Sequence, residues 1–173
     1  MTHLYFEELE IGTLSAAGPY LVSRDEIIQF AEQYDPVPRH IDEEAAARSI
    51  FGGLTASSAH TFSIFILLTT RLQPRLRVLA GLGWDGLRLP YAVRPGDELD
   101  LETMVLEMRE SKSKPDRGII LTRVLLRNQR CETALECTSN IFVARRPGAA
   151  ASTHPNPIPR GHGGVAEAGS STQ

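Results

Sequence analysis

Residues 34–68 read YDPVPRHIDEEAAARSIFGGLTASSAHTFSIFILL, and the fold and chemistry of the chain turn on this stretch. It opens with a carboxylate and an imidazole, Asp35 and His40, separated by Pro36, Val37, Pro38 and Arg39. Each proline lacks an N–H and pushes its predecessor out of the α region, so a stiff extended or turned loop is predicted here, not a helix. Phe51-Gly52-Gly53 is a flexible break, and Ser57-Ser58 then opens an apolar run that ends at Leu68. A helix starting near Ser58 points free backbone N–H groups and its positive dipole end back toward the loop. An acid–base pair facing such a helix end is a candidate reaction centre.

Working outward, residues 13–22 read as a strand and residues 1–11 as a lead-in anchored by Tyr5, Phe6 and Leu9. Ser23-Arg24-Asp25-Glu26 matches a capping box for a helix over 24–33, with Ile27, Phe30 and Ala31 on one face. Asp42 is placed as the N-cap of a short helix over 43–48, with acids in its first turn. The apolar helix is expected over 58–72, stopped by Pro74. Being apolar nearly all round, it has to be buried on most sides. The wrapping is supplied by segments 77–89, 98–109, 118–128 and 132–144, rich in strand formers. Turn signals separate them at Arg94-Pro95-Gly96-Asp97, Lys114-Pro115-Asp116 and Asn128-Gln129-Arg130. Short connections between consecutive strands predict antiparallel pairing. The expected architecture is α+β, one curved antiparallel sheet around one long buried helix.

A chain of 173 residues suits one domain. A formal charge of −3 gives no electrostatic case for nucleic acid or an anionic membrane. The N-terminus is acidic where a signal peptide needs a basic and then an apolar stretch, and no apolar run is long enough to span a bilayer. Cys131 and Cys137 fit neither a zinc knuckle nor a redox pair, so reduced thiols in a cytoplasmic protein are expected. Residues 148–173 are rich in Pro, Gly, Ala and Ser and are expected to be a disordered tail after a domain over 1–147. His154 and His162 in that tail are read as solvated, and no metal site is expected.

With these pieces in order, the chain resembles the MaoC-like dehydratases, a hotdog-fold family that includes (R)-specific enoyl-CoA hydratases. The resemblance rests on Asp35-Pro36-Val37-Pro38-Arg39-His40-Ile41-Asp42, the Ala-rich helix at 43–47, and Phe51-Gly52-Gly53-Leu54-Thr55-Ala56-Ser57-Ser58. Gly83-Trp84-Asp85-Gly86, Val93-Arg94-Pro95-Gly96-Asp97 and Ser111 to Gly118 extend it, so it runs from about Tyr5 to Arg146. Three positions depart from the family pattern. Val37 stands where Asn or Gln is frequent, Arg39 where an apolar residue is common, and Ser58 where Gly is usual.

The resemblance implies a hydratase/dehydratase that adds water across the C2–C3 double bond of a trans-2-enoyl thioester. Asp35 and His40 would be the catalytic pair, with Gly53, Ser57, Ser58 and Ala59 around the thioester oxygen. Lys112, Lys114 and Arg117 are possible contacts to coenzyme A. No metal or redox cofactor is implied, coenzyme A being part of the substrate, and a homodimer or higher homo-oligomer is expected. His60 is read as a hydrogen-bonded core histidine and Asp42 as a cap. Two other readings stay open at this point: a hotdog acyl-CoA thioesterase, and a non-catalytic acyl-thioester-binding partner subunit.

Overall fold

Leu99, Leu101, Thr103 and Val105 alternate with Asp100, Glu102 and Met104. In the computed structural model, which describes residues 3–148, they form the buried face of the third strand. The five strands are β1 (Leu14–Leu21), β2 (Val78–Arg88), β3 (Glu98–Glu110), β4 (Arg117–Arg127) and β5 (Thr133–Ala144). They pair antiparallel in the order β1-β3-β4-β5-β2. The helices are α1 (Arg24–Tyr34), α2 (Pro38–Ile41), α3 (Glu43–Ala47) and α4 (Ser58–Thr69), with a 3-10 turn at Phe6–Glu8. The α+β expectation stands. The expected tail from 149 onward, with His154 and His162, lies outside the described residues.

The consecutive-pairing expectation holds for β3-β4-β5 and fails for β2. That strand pairs with β5 at the far edge, while β3 sits between β4 and β1. Backbone bonds away from the turn decide this. Val22 N–H donates to Asp97 O at 2.9 Å and Ala56 N–H to Val93 O at 2.8 Å, drawing the 90–97 link toward β1 and the start of α4. Turn residues signal a reversal but do not say which strand lies beside which.

Helix α4 packs on the inner face of the sheet through Ile64, Phe65 and Leu68. They belong to a cluster with Val22, Ile27, Leu99, Leu101, Val124 and Leu126. A second cluster, Phe6, Leu9, Val105, Met108, Ile120 and Val143, closes the other end under the lead-in. Gly118 makes room there, because a Cβ on it would run into the Phe6 ring. The predicted wrapping of α4 is incomplete: Ser63, Ile66 and Leu67 are exposed on its outer side.

The lead-in is held by charge as well as by Phe6. Arg145 Nε donates to Glu7 Oε1 at 2.7 Å and Arg146 N–H to Glu7 Oε2 at 3.1 Å. Partial burial pushes the Glu7 carboxyl up, but these hydrogen bonds outweigh it and hold the carboxyl below its ordinary value of 4.5. A carboxylate lowered in the folded state adds stability above its unfolded pKa and loses it as pH falls through the folded one. Glu7→Gln is therefore expected to lower the melting temperature at pH 7, with the deficit shrinking toward zero well below pH 4.5, as read by circular dichroism melts.

Candidate active site

Asp35 caps the C-terminus of α1. Pro36 keeps it out of the helical region, at φ −156° and ψ 67°, while its N–H still donates to Ala31 O at 2.9 Å. Val37 is extended, as a residue before proline should be, at φ −83° and ψ 135°. The expectation of a helix-free loop needs correction beyond it, because Pro38 starts the single turn α2. Proline is well suited to the first helical position, where its missing N–H has no partner to lose. That turn carries His40 inward until the residue is 5 % exposed. Its Nδ1 lies 2.7 Å from Thr55 O. A carbonyl only accepts, so Nδ1 carries the proton and Nε2 of the neutral ring offers a lone pair.

Nε2 faces Asp35 Oδ2 at 3.9 Å. This is too long for a direct hydrogen bond, but an oxygen making two contacts of about 2.8 Å can join both groups. Asp35 is partly exposed and His40 buried, so the pair meets solvent on the Asp35 side.

Thr55 also leads directly into α4. Ser57 is its N-cap, 1 % exposed, with Oγ accepting the His60 N–H at 3.1 Å. Thr61 N–H returns to Ser57 O at 3.0 Å. The N–H groups of Ser58 and Ala59, the first two of the helix, have no acceptor among the described residues and are open to an external one. Gly53 lies against Arg94, whose Nη1 would be 3.2 Å from an added Cβ. Arg94 Nη2 also donates to Phe51 O at 2.6 Å, fastening the Gly-Gly break to the 90–97 link.

Residues 10–125 match the MaoC-like domain family. The crystal structure of a MaoC-like dehydratase from Rhodospirillum rubrum is 40 % identical, over 83 % of this chain and 99 % of that one, with a TM-score of 0.77. This chain belongs to the MaoC-like domain family. The unliganded R-hydratase PhaJ1 of Pseudomonas aeruginosa shares the fold at 24 % identity, over 92 % of this chain and 97 % of that one, with a TM-score of 0.66. A Mycobacterium tuberculosis protein with a double hotdog fold matches at 20 % identity and a TM-score of 0.72, over 87 % of this chain and 47 % of that one. The fold is thus a hotdog.

In this MaoC-like domain Asp35, His40, Gly53, Ser57, Ser58 and Ala59 all come to one end of the sheet, near the start of β3. The Ser57 hydroxyl is taken by the cap. Lys112, Lys114 and Arg117 do not join them within one chain. They lie at the β3–β4 hairpin, and the 13 residues of β3 separate the two places by roughly 40 Å of strand. Arg117 is paired with Asp116 at 2.8 Å and lies over the Phe142 ring.

Asp42 caps α3, accepting the Ala45 N–H at 2.9 Å. The capping box at Ser23 is only half made. Ser23 Oγ accepts from Glu26 N–H at 3.1 Å, but the Glu26 carboxylate turns inward to Tyr20 OH at 2.6 Å and His60 Nε2 at 3.0 Å. Burial and the bond to Glu26 push the Tyr20 hydroxyl up to about 12, so it stays a donor. His60 is satisfied on one side only: Nδ1 is buried without a partner among the described residues, and the ring stacks on Phe30 at 4.5 Å. Sequence reasoning missed this Tyr20–Glu26–His60 group and Thr55. The spacing of Glu26 was absorbed by the cap motif, and a backbone acceptor such as Thr55 O leaves no mark in side-chain identity. Ser57→Ala removes the α4 cap and is expected to cost about 1 kcal/mol of stability, read from chemical denaturation.

Proposed function

We propose that this domain hydrates and dehydrates trans-2-enoyl thioesters of coenzyme A, without a metal or redox cofactor. The observation that carries the reading is His40, its Nδ1 held at 2.7 Å by Thr55 O and its Nε2 set 3.9 Å from Asp35, at the N-terminus of α4. One water bridges Asp35 Oδ2 and His40 Nε2. His40 accepts a proton from that water as its oxygen bonds to C3. The C2–C3 π pair moves toward the carbonyl, and the Ser58 and Ala59 N–H groups receive the enolate oxygen. Preorganised donors of this kind are typically worth about 3–4 kcal/mol. A proton returned to C2 by the Asp35–His40 pair completes the addition, leaving a hydroxyl on C3 and a hydrogen on C2.

The assembled unit is proposed to be a homodimer. Edge strand β2 presents Val78, Leu79, Leu82, Trp84 and Leu87, all more than 40 % exposed, beside Ile66 and Leu67 of α4. An unguarded apolar edge is a template for pairing, and a second copy of the same edge meets it symmetrically. Sedimentation at micromolar concentration is expected to give twice the 19.0 kDa chain mass, and Leu82→Lys to shift it to the monomer.

Asp35→Asn and His40→Gln are each expected to lower turnover by at least ~10²-fold with binding and folding retained. Because both serve the same proton transfers, the double variant should be hardly worse than either single one. The assay follows loss of enoyl absorbance and thiol release together. Thiol release without enoyl loss would make the protein a thioesterase instead, and acyl-CoA binding without either would make it a non-catalytic binder.

A further inference from the structure

Beside the C-terminal half of α4 a cavity of about 600 Å³ opens to the surface, lined by Phe65 and Ile141, rimmed by the exposed Ile66 and Trp84, and floored by the sheet. Three inward-facing positions of that floor carry hydroxyls where the neighbouring rows carry hydrocarbon. Thr122 of β4 stands opposite Ser139 of β5, and Thr103 of β3 stands opposite Val124, diagonal to Thr122. All three are buried, at 8 %, 5 % and 6 % exposure for Thr103, Thr122 and Ser139. The row falls between the two apolar clusters, one holding Leu101 and Val124, the other Val105 and Ile120. The core is therefore divided by a polar band, and the band is the floor of the cavity.

The hydroxyls are not used up by the protein. Thr122 Oγ1 donates to Ser139 O at 3.3 Å and Thr103 Oγ1 to Ser15 O at 3.5 Å, the outer limit of such a bond. Ser139 Oγ makes no hydrogen bond among the described residues. A ligand group facing this floor meets three hydroxyl oxygens able to accept and one free donor, the Ser139 O–H. A hydrocarbon tail would bury the Ser139 hydroxyl without a partner, which is unfavourable. A carboxylate offers acceptors only, which suit Arg75 at the cavity wall but not the acceptor oxygens of the floor, whereas a hydroxyl offers a donor and an acceptor together. Along α4 the first residue lining the cavity is Phe65, about 10 Å from Ser58 at 1.5 Å per residue, so a thioester held at the helix N-terminus would reach the floor only with the far end of its tail.

We propose that the acyl group taken by this domain bears a hydroxyl on its tail, received by the Thr103–Thr122–Ser139 band. This rests on the thioester reading above, and the test separates the two by measuring binding in place of turnover. Medium-chain saturated acyl-CoA thioesters ending in a methyl, a hydroxyl or a carboxylate are titrated calorimetrically into the full chain. The hydroxyl-ended thioester is expected to bind at least ~10-fold more tightly than the methyl-ended one of equal length, about 1.4 kcal/mol. Ser139→Ala and the near-isosteric Thr122→Val should each bring that ratio toward one. If Thr122→Val fails to fold, Ser139→Ala carries the comparison alone. A methyl-ended thioester binding as tightly, a ratio unchanged in Ser139→Ala, a carboxylate binding best, or no thioester binding would each overturn the proposal. Hydration of simple enoyl thioesters, assayed separately, reports on the reaction itself.

Discussion

The hydrogen bond from His40 Nδ1 to the Thr55 carbonyl, 2.7 Å long and buried, joins the two halves of the site. Such a bond adds only about 1 kcal/mol net, but leaving either group buried and unpaired costs roughly 1–3 kcal/mol, so the geometry is enforced mainly by the penalty for breaking it. It chooses the tautomer and turns Nε2 toward Asp35. It also ties the α1–α3 segment to the strand of chain that leads into α4. Asp35 itself is placed by the end of α1, by the proline that follows and by the Val37 N–H, which donates to its carbonyl at 2.7 Å.

The helix end is built with equal economy. Ser57 caps α4 with its hydroxyl and Thr61 N–H binds its carbonyl, so the helix-start donors left over among the described residues are those of Ser58 and Ala59. Arg94 fastens the Gly-Gly break through Phe51 O, and Val93 O holds Ala56. The backbone is thus fixed on both sides of Thr55. Farther along, the same helix covers a divided core, and the gap between the two apolar clusters leaves space and polarity where a fully packed sheet would have neither.

Much of this was legible in the sequence, for identifiable reasons. Strand alternation at Leu99, Leu101, Thr103 and Val105 is a property of the pleat, and the caps at Ser23, Asp42 and the start of α4 are local chemistry. The family resemblance at 35–58 puts Asp35 and His40 in one site, and the fold sets them 3.9 Å apart. What stayed hidden depends on distant partners. Pro36 and Pro38 look alike as helix breakers, yet Pro38 starts a turn because the chain before it is already extended. Glu26 fits a capping box, yet the part-buried Tyr20 hydroxyl and the buried His60 ring draw its carboxylate away from the local bond. The hydroxyls of Thr103, Thr122 and Ser139 sit on three different strands, and only the register aligns them. The hairpin lysines show another limit: charge suggests a site, and within one chain the length of β3 sets it apart from Asp35 and His40.

The central claim is that His40 presents an unprotonated Nε2 to Asp35 because Thr55 holds the proton on Nδ1. Long-range nitrogen–proton NMR correlations of the histidine rings test it most directly, with His40→Gln used to assign the signal. The account predicts that the neutral His40 ring is the Nδ1–H tautomer, with Nε2 at the shift of an imidazole acceptor nitrogen. A dominant Nε2–H tautomer, or rapid averaging between the two, would contradict it.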